Sequence, residues 1–197
     1  MAGPEYTGIF AFEGDWTPDD LEDKSSMRPT LETLRDVCDV DFIHRRIGTV
    51  AELEYYVDKW LSEGVDENYD DYRVGYFAFH GSRGVIAPGE GDVTLDQLAV
   101  WIDGRAQGRT VYFGSCSTLD LDTKRVKDFL KATKAKAAGG YTTDVNWLES
   151  AAFDLLVLDA LACYHRRPHA ANNYLWKHYK AFATDLGLKI VTPSSKS

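Results

Sequence analysis

Cysteine, proline and long apolar segments are scarce in this sequence of 197 residues. Its three cysteines, Cys38, Cys116 and Cys163, lie far apart and form no Cys-x-x-Cys pair, which argues against a disulfide framework and a structural zinc site. No apolar run approaches the ~20 residues of a membrane-spanning helix, and the first residues lack the basic and apolar regions of a secretory signal. We therefore expect one soluble, cytoplasmic domain over residues 1–197, with a loose tail at about 192–197 and no membrane partner.

Several cofactor motifs are also missing. There is no Gly-x-Gly-x-x-Gly after the first predicted strand and no Gly-Lys-Ser/Thr loop, so dinucleotide and P-loop nucleotide binding are not supported. Ser115 lacks the flanking glycines of a hydrolase nucleophile elbow. No group of His, Asp and Cys residues has the spacing of a metal site. We expect neither a cofactor nor a metal ion.

Basic residues are fewer than acidic ones, and the imbalance is uneven. The formal net charge is −9; residues 1–103 carry 23 acidic and 8 basic side chains, whereas residues 104–197 carry 8 and 14. One basic cluster with helical spacing is present, at Lys124, Arg125, Lys127, Lys131, Lys134 and Lys136. This spacing is typical of a solvated helix face, and the acidic field repels phosphate backbones. We therefore expect no nucleic-acid partner.

Short apolar runs alternate with segments of helical periodicity. The predicted strands are 6–12, 40–46, 73–79, 110–113, 137–141 and 188–191. The predicted helices are about 30–38, 50–61, 95–102, 122–134, 146–161 and 170–186, with Pro168 ending the fifth of them and a wide glycine-rich loop at 82–92. Capping sequences at 49–52 and 94–97 open two of these helices. The alternation predicts an α/β fold, in which helices cover both faces of a mostly parallel six-stranded sheet.

Two of the predicted strands end in residues with catalytic chemistry. His80 and Gly81 follow strand 73–79, and Cys116 follows strand 110–113. Neighbouring parallel strands end at the same sheet edge, ~5 Å apart, so the histidine and the cysteine are expected to face each other there. The other two cysteines lie on apolar helix faces and are interpreted as small core residues.

A histidine beside a cysteine has a clear chemical use. A free thiol has a pKa of ~8.5 and needs a base to become a nucleophile at neutral pH. The His80 imidazole is placed to take the proton and later to protonate a leaving amine. The backbone N–H groups of Gly81 and Cys116 are candidates for stabilising the oxyanion that forms. The sequence thus predicts a Cys116–His80 dyad, with a satisfied structural histidine as the alternative.

This order of features resembles the caspase-like cysteine peptidases, which include caspases, metacaspases, separases, gingipains and bacterial CHAT domains. An apolar strand ends at His80, a helix follows, and a second apolar strand precedes a small residue and Cys116. The pattern, carried by about residues 73–118, is most similar to the CHAT and bacterial caspase-like branch. The resemblance implies a caspase-like three-layer sandwich and a cysteine endopeptidase that uses His80 and Cys116.

The chain departs from the caspases and metacaspases in two ways. The cysteine block reads Gly114-Ser-Cys116-Ser-Thr, 36 residues after His80, whereas caspases have Gln-Ala-Cys with the histidine about 50 residues upstream. Gly114 also stands where metacaspases place an aspartate. Specificity for aspartate, as in caspases, is therefore not expected.

The resemblance also points to a substrate pocket. In the family, the end of the first strand and the loop after the fifth line the pocket for the residue before the cleaved bond. Here these segments supply Glu13 and Asp15 on one side, and Tyr141 and Asp144 on the other. Carboxylates suit a Lys or Arg side chain, so we expect cleavage after a basic residue, although solvated loop carboxylates are an equal interpretation.

Two other functions remain open from the sequence. One is an inactive caspase-like interaction module, and the other is a small-molecule thiol hydrolase or acyltransferase on the same fold. Trp16 and Trp147 are either pocket walls or packing residues. The resemblance implies a protein or peptide substrate and leaves room for a regulatory partner protein, while the sequence leaves the oligomeric state undetermined.

Overall fold

In a computed structural model, the described residues are 6–17, 19–20, 22–62 and 69–194. The strands within these ranges are β1 Ile9–Gly14, β2 Phe42–Ile47, β3 Val74–Ala78, β4 His80–Ser82, β5 Val85–Ala87, β6 Val93–Thr94, β7 Thr110–Phe113, β8 Ala137–Tyr141 and β9 Leu188–Val191. The helices are α1 Arg28–Cys38, α2 Val50–Leu61, α3 Leu95–Ile102, α4 Thr123–Thr133, α5 Trp147–Cys163, α6 Pro168–His178 and α7 Lys180–Asp185. Part of the predicted loose tail, residues 195–197, lies outside the described residues.

The six predicted strands form one sheet in the order β2-β1-β3-β7-β8-β9. All neighbouring pairs are parallel except β8 and β9, which are antiparallel. Every residue of β1, β3, β7 and β8 is buried, as continuous apolar runs in a parallel sheet covered on both faces require. The prediction of a mostly parallel six-stranded sheet is confirmed.

Alternate residues of β1 pack on opposite sides of the sheet. Phe10 and Phe12 join one apolar cluster with α2, α3 and α4, whereas Ile9 and Ala11 join the other with α1, α5, α6 and α7. Successive strand side chains point to opposite faces, so each central strand feeds both cores. The helices therefore lie on both faces of the sheet, in three layers.

Side-chain caps start α2, α3 and α5 close to the predicted positions. Thr49 Oγ1 accepts a hydrogen bond from Glu52 N at 3.2 Å, and the Glu52 carboxylate accepts one from Thr49 N at 3.1 Å. Thr94 accepts from Gln97 N at 3.1 Å, and Asn146 accepts from the amide two residues further on at 3.0 Å. These bonds satisfy amides that the first helical turn leaves without partners.

Three sequence predictions about local structure are wrong. The segment 82–92 is not a wide loop, because β4, β5 and β6 form a small antiparallel sheet there, with Gly84 at φ +73° in the first turn. The helix predicted at 170–186 is two helices, since Tyr179 leaves the helical conformation with φ −129° and ψ 34°. Pro168 begins α6 rather than ending α5, because proline is accepted in a first helical turn.

Candidate active site

The histidine and cysteine segments meet at the carboxyl edge of the sheet. Phe77 of β3 is in register with Phe113 of β7, so His80 and Cys116 each follow a strand that ends at that edge. A Cβ atom on Gly81 would lie 2.4 Å from Thr118 Oγ1 and 2.8 Å from the Cys116 carbonyl oxygen. The backbone beside His80 is therefore in direct contact with the turn that carries Cys116, and only glycine fits at position 81 without a shift.

The His80 ring is held by a backbone carbonyl. His80 Nε2 lies 2.8 Å from the Trp16 carbonyl oxygen, and the Trp16 ring contacts the imidazole edge-to-face with 5.3 Å between centroids. A carbonyl oxygen only accepts hydrogen bonds, so Nε2 must carry a hydrogen. In the neutral ring the lone pair is then on Nδ1, and this is the nitrogen that can act as a base.

Trp16 is in turn fixed by a buried carboxylate. Trp16 Nε1 donates to Glu13 Oε1 at 2.7 Å, and Met27 N donates to the same oxygen at 2.6 Å. The other oxygen receives Ser26 Oγ at 2.7 Å and contacts His44 Nε2 at 2.6 Å. Burial acts to raise the pKa of Glu13, but these hydrogen bonds outweigh it and the pKa is lowered.

Cys116 lies in an uncommon turn. Its sulfur is half-buried and accepts a hydrogen bond from Val145 N at 3.5 Å. Ser117, the next residue, has φ +50°, a conformation that non-glycine residues rarely adopt. Ser117 N donates to Thr143 O at 2.9 Å, and Ser117 Oγ donates to Asp144 Oδ1 at 2.7 Å. Segment 143–145 thus holds both the turn and the thiol.

The four predicted pocket residues occupy very different positions. Asp144 is exposed and contacts the Cys116 turn through Ser117. Asp15 is partly exposed and lies 3.5 Å from an Arg46 guanidinium nitrogen. Glu13 is 0% exposed with both oxygens bonded, and Tyr141 is fully buried with its hydroxyl on Asp154. The prediction that Glu13 and Tyr141 contact substrate is therefore corrected: they offer it no surface.

A polar cluster beneath the cysteine turn was not recognised from the sequence. The hydroxyls of Tyr76, Tyr112 and Tyr141 donate to the Asp154 carboxylate at 2.6, 2.5 and 2.6 Å. Burial raises the pKa of Asp154, although the three hydroxyls act to lower it, and burial beside this carboxylate raises the tyrosine pKa values. The available signal was an aspartate within the most apolar helix together with tyrosines on three neighbouring strands.

This cluster explains why residue 114 is glycine. A Cβ atom there would lie 2.6 Å from the Tyr76 ring and 2.7 Å from Asp154 Oδ2. The backbone of the cysteine turn therefore rests directly on the cluster, two residues before Cys116.

An apolar wall continues from the histidine to the start of α5. The Trp16 and Trp147 rings pack edge-to-face with 4.4 Å between centroids. Trp147 and Leu148 are 39% and 74% exposed. Trp16 therefore contacts His80 on one side and a solvent-facing tryptophan on the other.

Two kinds of feature are absent from the part of the chain that the structure describes. Within the described ranges, no three His, Cys, Asp or Glu side chains are grouped so that they could hold a metal ion. No helix in this same part of the chain is long and apolar enough to span a bilayer.

Comparison with known protein families identifies a family for this chain. A family model described as "Family of unknown function (DUF6642)" matches residues 7–191. A search of curated proteins finds no match to the chain.

Proposed function

We propose a function for this chain, which belongs to the DUF6642 family, a family of unknown function. The proposal is a cysteine endopeptidase with a caspase-like fold, in which Cys116 is the nucleophile and His80 the acid and base. The observation that carries it is the contact of Gly81 with the Cys116 turn, together with the hydrogen bond that fixes Nε2–H on His80. A histidine whose Nε2 carries the hydrogen, following the strand next to the one that precedes a thiol, suits this chemistry with Nδ1 as the base.

In the proposed reaction, His80 Nδ1 takes the thiol proton and the Cys116 sulfur attacks the peptide carbonyl carbon. The carbonyl oxygen becomes an oxyanion, for which the N–H groups of Gly81 and Cys116 are the candidate donors. The C–N bond then breaks, and the imidazolium returns the proton to the leaving amine. Water hydrolyses the acyl-enzyme with His80 as the base, which restores the thiol. Before the attack, the thiol must leave both of its hydrogen bonds with Val145, the one that it donates to the carbonyl oxygen and the one that its sulfur accepts from N.

The order of elements supports the caspase-like assignment. His80 follows the third strand of the main sheet along the chain, and Cys116 follows the fourth, which is its neighbour in space. Helices on both faces and an antiparallel last strand complete a sandwich compatible with that fold.

For specificity, we propose cleavage after a basic residue, with Asp144 as the main determinant. Its carboxylate is exposed and lies one hydrogen bond from the residue after Cys116. Asp15 is a weaker candidate because Arg46 already lies near its charge. An ion pair beside the scissile bond would orient the substrate as well as bind it.

The test is a peptide library varied at the residue before the cleaved bond, assayed with wild type, Cys116→Ala and Cys163→Ala. We expect turnover by wild type and Cys163→Ala, and a loss of at least about 1,000-fold in Cys116→Ala, because removing a nucleophile leaves only residual catalysis. Equal turnover by all three would overturn the assignment of Cys116. Folded wild type without turnover, and without fast alkylation of Cys116, would favour an inactive interaction module.

The same library tests the pocket. Asp144→Asn should lower kcat/KM for Lys and Arg peptides about 10-fold or more, because the substrate cation loses its carboxylate partner. The kcat/KM for neutral peptides should stay nearly unchanged. Glu149→Gln, at an exposed carboxylate in the first turn of α5, is the matched control. A preference for Asp over Arg in wild type would contradict the basic specificity.

A further inference from the structure

We infer that Glu13 is a positioning residue for His80 and that it acts through Trp16. The inference rests on the proposed function, because it assigns a role in that catalytic site. Glu13 was expected from the sequence to bind substrate, but its burial and contacts give it a different task.

The connection runs through two hydrogen bonds from one residue. The indole of Trp16 donates to Glu13 Oε1 at 2.7 Å, while the carbonyl of Trp16 accepts from His80 Nε2 at 2.8 Å. Trp16 also lies against the imidazole, with 5.3 Å between ring centroids. One tryptophan therefore fixes both the tautomer and the orientation of the ring, and Glu13 fixes the tryptophan.

Glu13 is well suited to be the fixed end of this chain. It lies on β1, in register with Ala78 of β3 and Arg46 of β2, so its backbone is part of the sheet. Its side chain is 0% exposed, and Met27 N binds it at 2.6 Å at the start of α1. A buried carboxylate with several donors is held in place, because the loss of any one hydrogen bond leaves its buried charge less well compensated.

The path of the chain between Glu13 and Trp16 keeps them close to the histidine. A Cβ atom on Gly14 would lie 2.6 Å from the Phe79 ring. Glycine at this position lets the chain cross directly over the residue that precedes His80. The loop after β1 is thereby packed onto the end of β3, and Trp16 reaches the imidazole.

The central experiment uses Trp16→Phe, which keeps an aromatic ring but removes the N–H that Glu13 accepts. We expect kcat to fall about 10-fold or more, because the variant loses the hydrogen bond to the Glu13 carboxylate and Trp16 no longer holds the His80 ring in place. KM should stay within about twofold of the wild-type value. Trp176→Phe, the same change at a half-exposed tryptophan on α6, should retain wild-type kinetics.

A second readout does not depend on turnover. The ¹⁵N chemical shifts of the His80 ring, measured without substrate, should report the Nε2–H tautomer in wild type and a mixture of tautomers in Trp16→Phe. If the Glu13→Gln variant folds, its His80 ¹⁵N chemical shifts should change in the same direction. If it does not fold, Trp16→Phe still decides the question.

The outcomes separate the two proposals. Unchanged kcat and an unchanged His80 tautomer in Trp16→Phe would overturn the positioning role. A changed tautomer in a protein that shows no Cys116-dependent turnover would sustain the positioning of His80 and reject the peptidase. A parallel loss of kcat and of the Nε2–H tautomer, absent in Trp176→Phe, supports both.

Discussion

At Gly81, the histidine segment is in direct contact with the cysteine turn. An added Cβ atom would meet Thr118 Oγ1 at 2.4 Å and the Cys116 carbonyl oxygen at 2.8 Å. The second of these is a backbone atom, so relief requires the two segments to move apart. This makes position 81 a direct probe of whether the two strand ends work together.

We predict that Gly81→Ala lowers kcat/KM at least about 100-fold, because a displacement of about 1 Å in a catalytic pair has effects of that size. The free energy of unfolding should fall by about 1–3 kcal/mol, as is typical of overpacking. Gly48→Ala is the matched control, since a Cβ atom there meets only the flexible Glu52 carboxylate at 3.6 Å. Kinetics and thermal denaturation measure both effects, and wild-type kinetics for Gly81→Ala would contradict the placement of the site.

Helix α5 is tied to the sheet through Asp154. Its carboxylate receives hydroxyls from β3, β7 and β8, three adjacent strands of the sheet. Because burial raises its pKa above the ordinary value of 3.8, the folded protein binds this proton more tightly than the unfolded chain does. The stabilisation from this proton is complete below about pH 4 and is lost as the pH rises through the folded-state pKa.

We predict that Asp154→Asn changes stability in a pH-dependent way. An amide does not titrate, so the difference of interest is the free energy of unfolding of wild type minus that of the variant. This difference should fall as the pH rises above about 4. Urea unfolding at several pH values between about 3 and 7 measures this difference. Asp128→Asn, at an exposed carboxylate of α4, reports the effect of losing a surface charge alone. A difference that grows with pH would show that Asp154 is stabilised in its charged form.

The six strands of the main sheet were predictable from short β-rich runs, which are continuous and buried in the central strands β3 and β7. Strands 110–113, 137–141 and 188–191 were predicted with the bounds that the structure has. The small sheet β4-β5-β6 was missed because strands of two and three residues carry too little periodicity. The remaining local signal was Arg83-Gly84 between Ser82 and Val85, a two-residue turn with glycine at positive φ.

The candidate site was predictable in part for a related reason. The rule that parallel strands end at one sheet edge brings His80 and Cys116 to the same place, and the structure has both segments there. It does not specify which way a side chain points at a strand end. Glu13 points inward and binds the start of α1, and Tyr141 points inward and binds Asp154. Neither side chain therefore lines the predicted substrate pocket. Contacts between residues distant in sequence, such as Val145 with the Cys116 sulfur, carry no local signal.

The charge of the whole molecule bears on the proposed substrate class. The net charge is −9, and residues 1–103, which supply β1, β2 and β3, hold 23 of the 31 acidic side chains. Such a field attracts cationic peptides before any contact forms and raises their association rate. Salt weakens it, because the Debye length falls from about 10 Å at 0.1 M to about 3 Å at 1 M ionic strength.

We predict that kcat/KM for a peptide with several Lys or Arg residues falls roughly 3- to 10-fold between 0.02 and 0.5 M NaCl, since electrostatically assisted association depends steeply on ionic strength. A peptide of the same length with one basic residue before the cleaved bond and neutral residues elsewhere should fall much less. It still uses the short-range pairing with Asp144, which salt screens less than the long-range field. Comparing the two peptides in wild type and Asp144→Asn therefore separates the molecular field from the pocket. Equal salt dependence for both peptides would mean that the acidic half of the chain does not steer the substrate, and that any basic preference comes from the pocket alone.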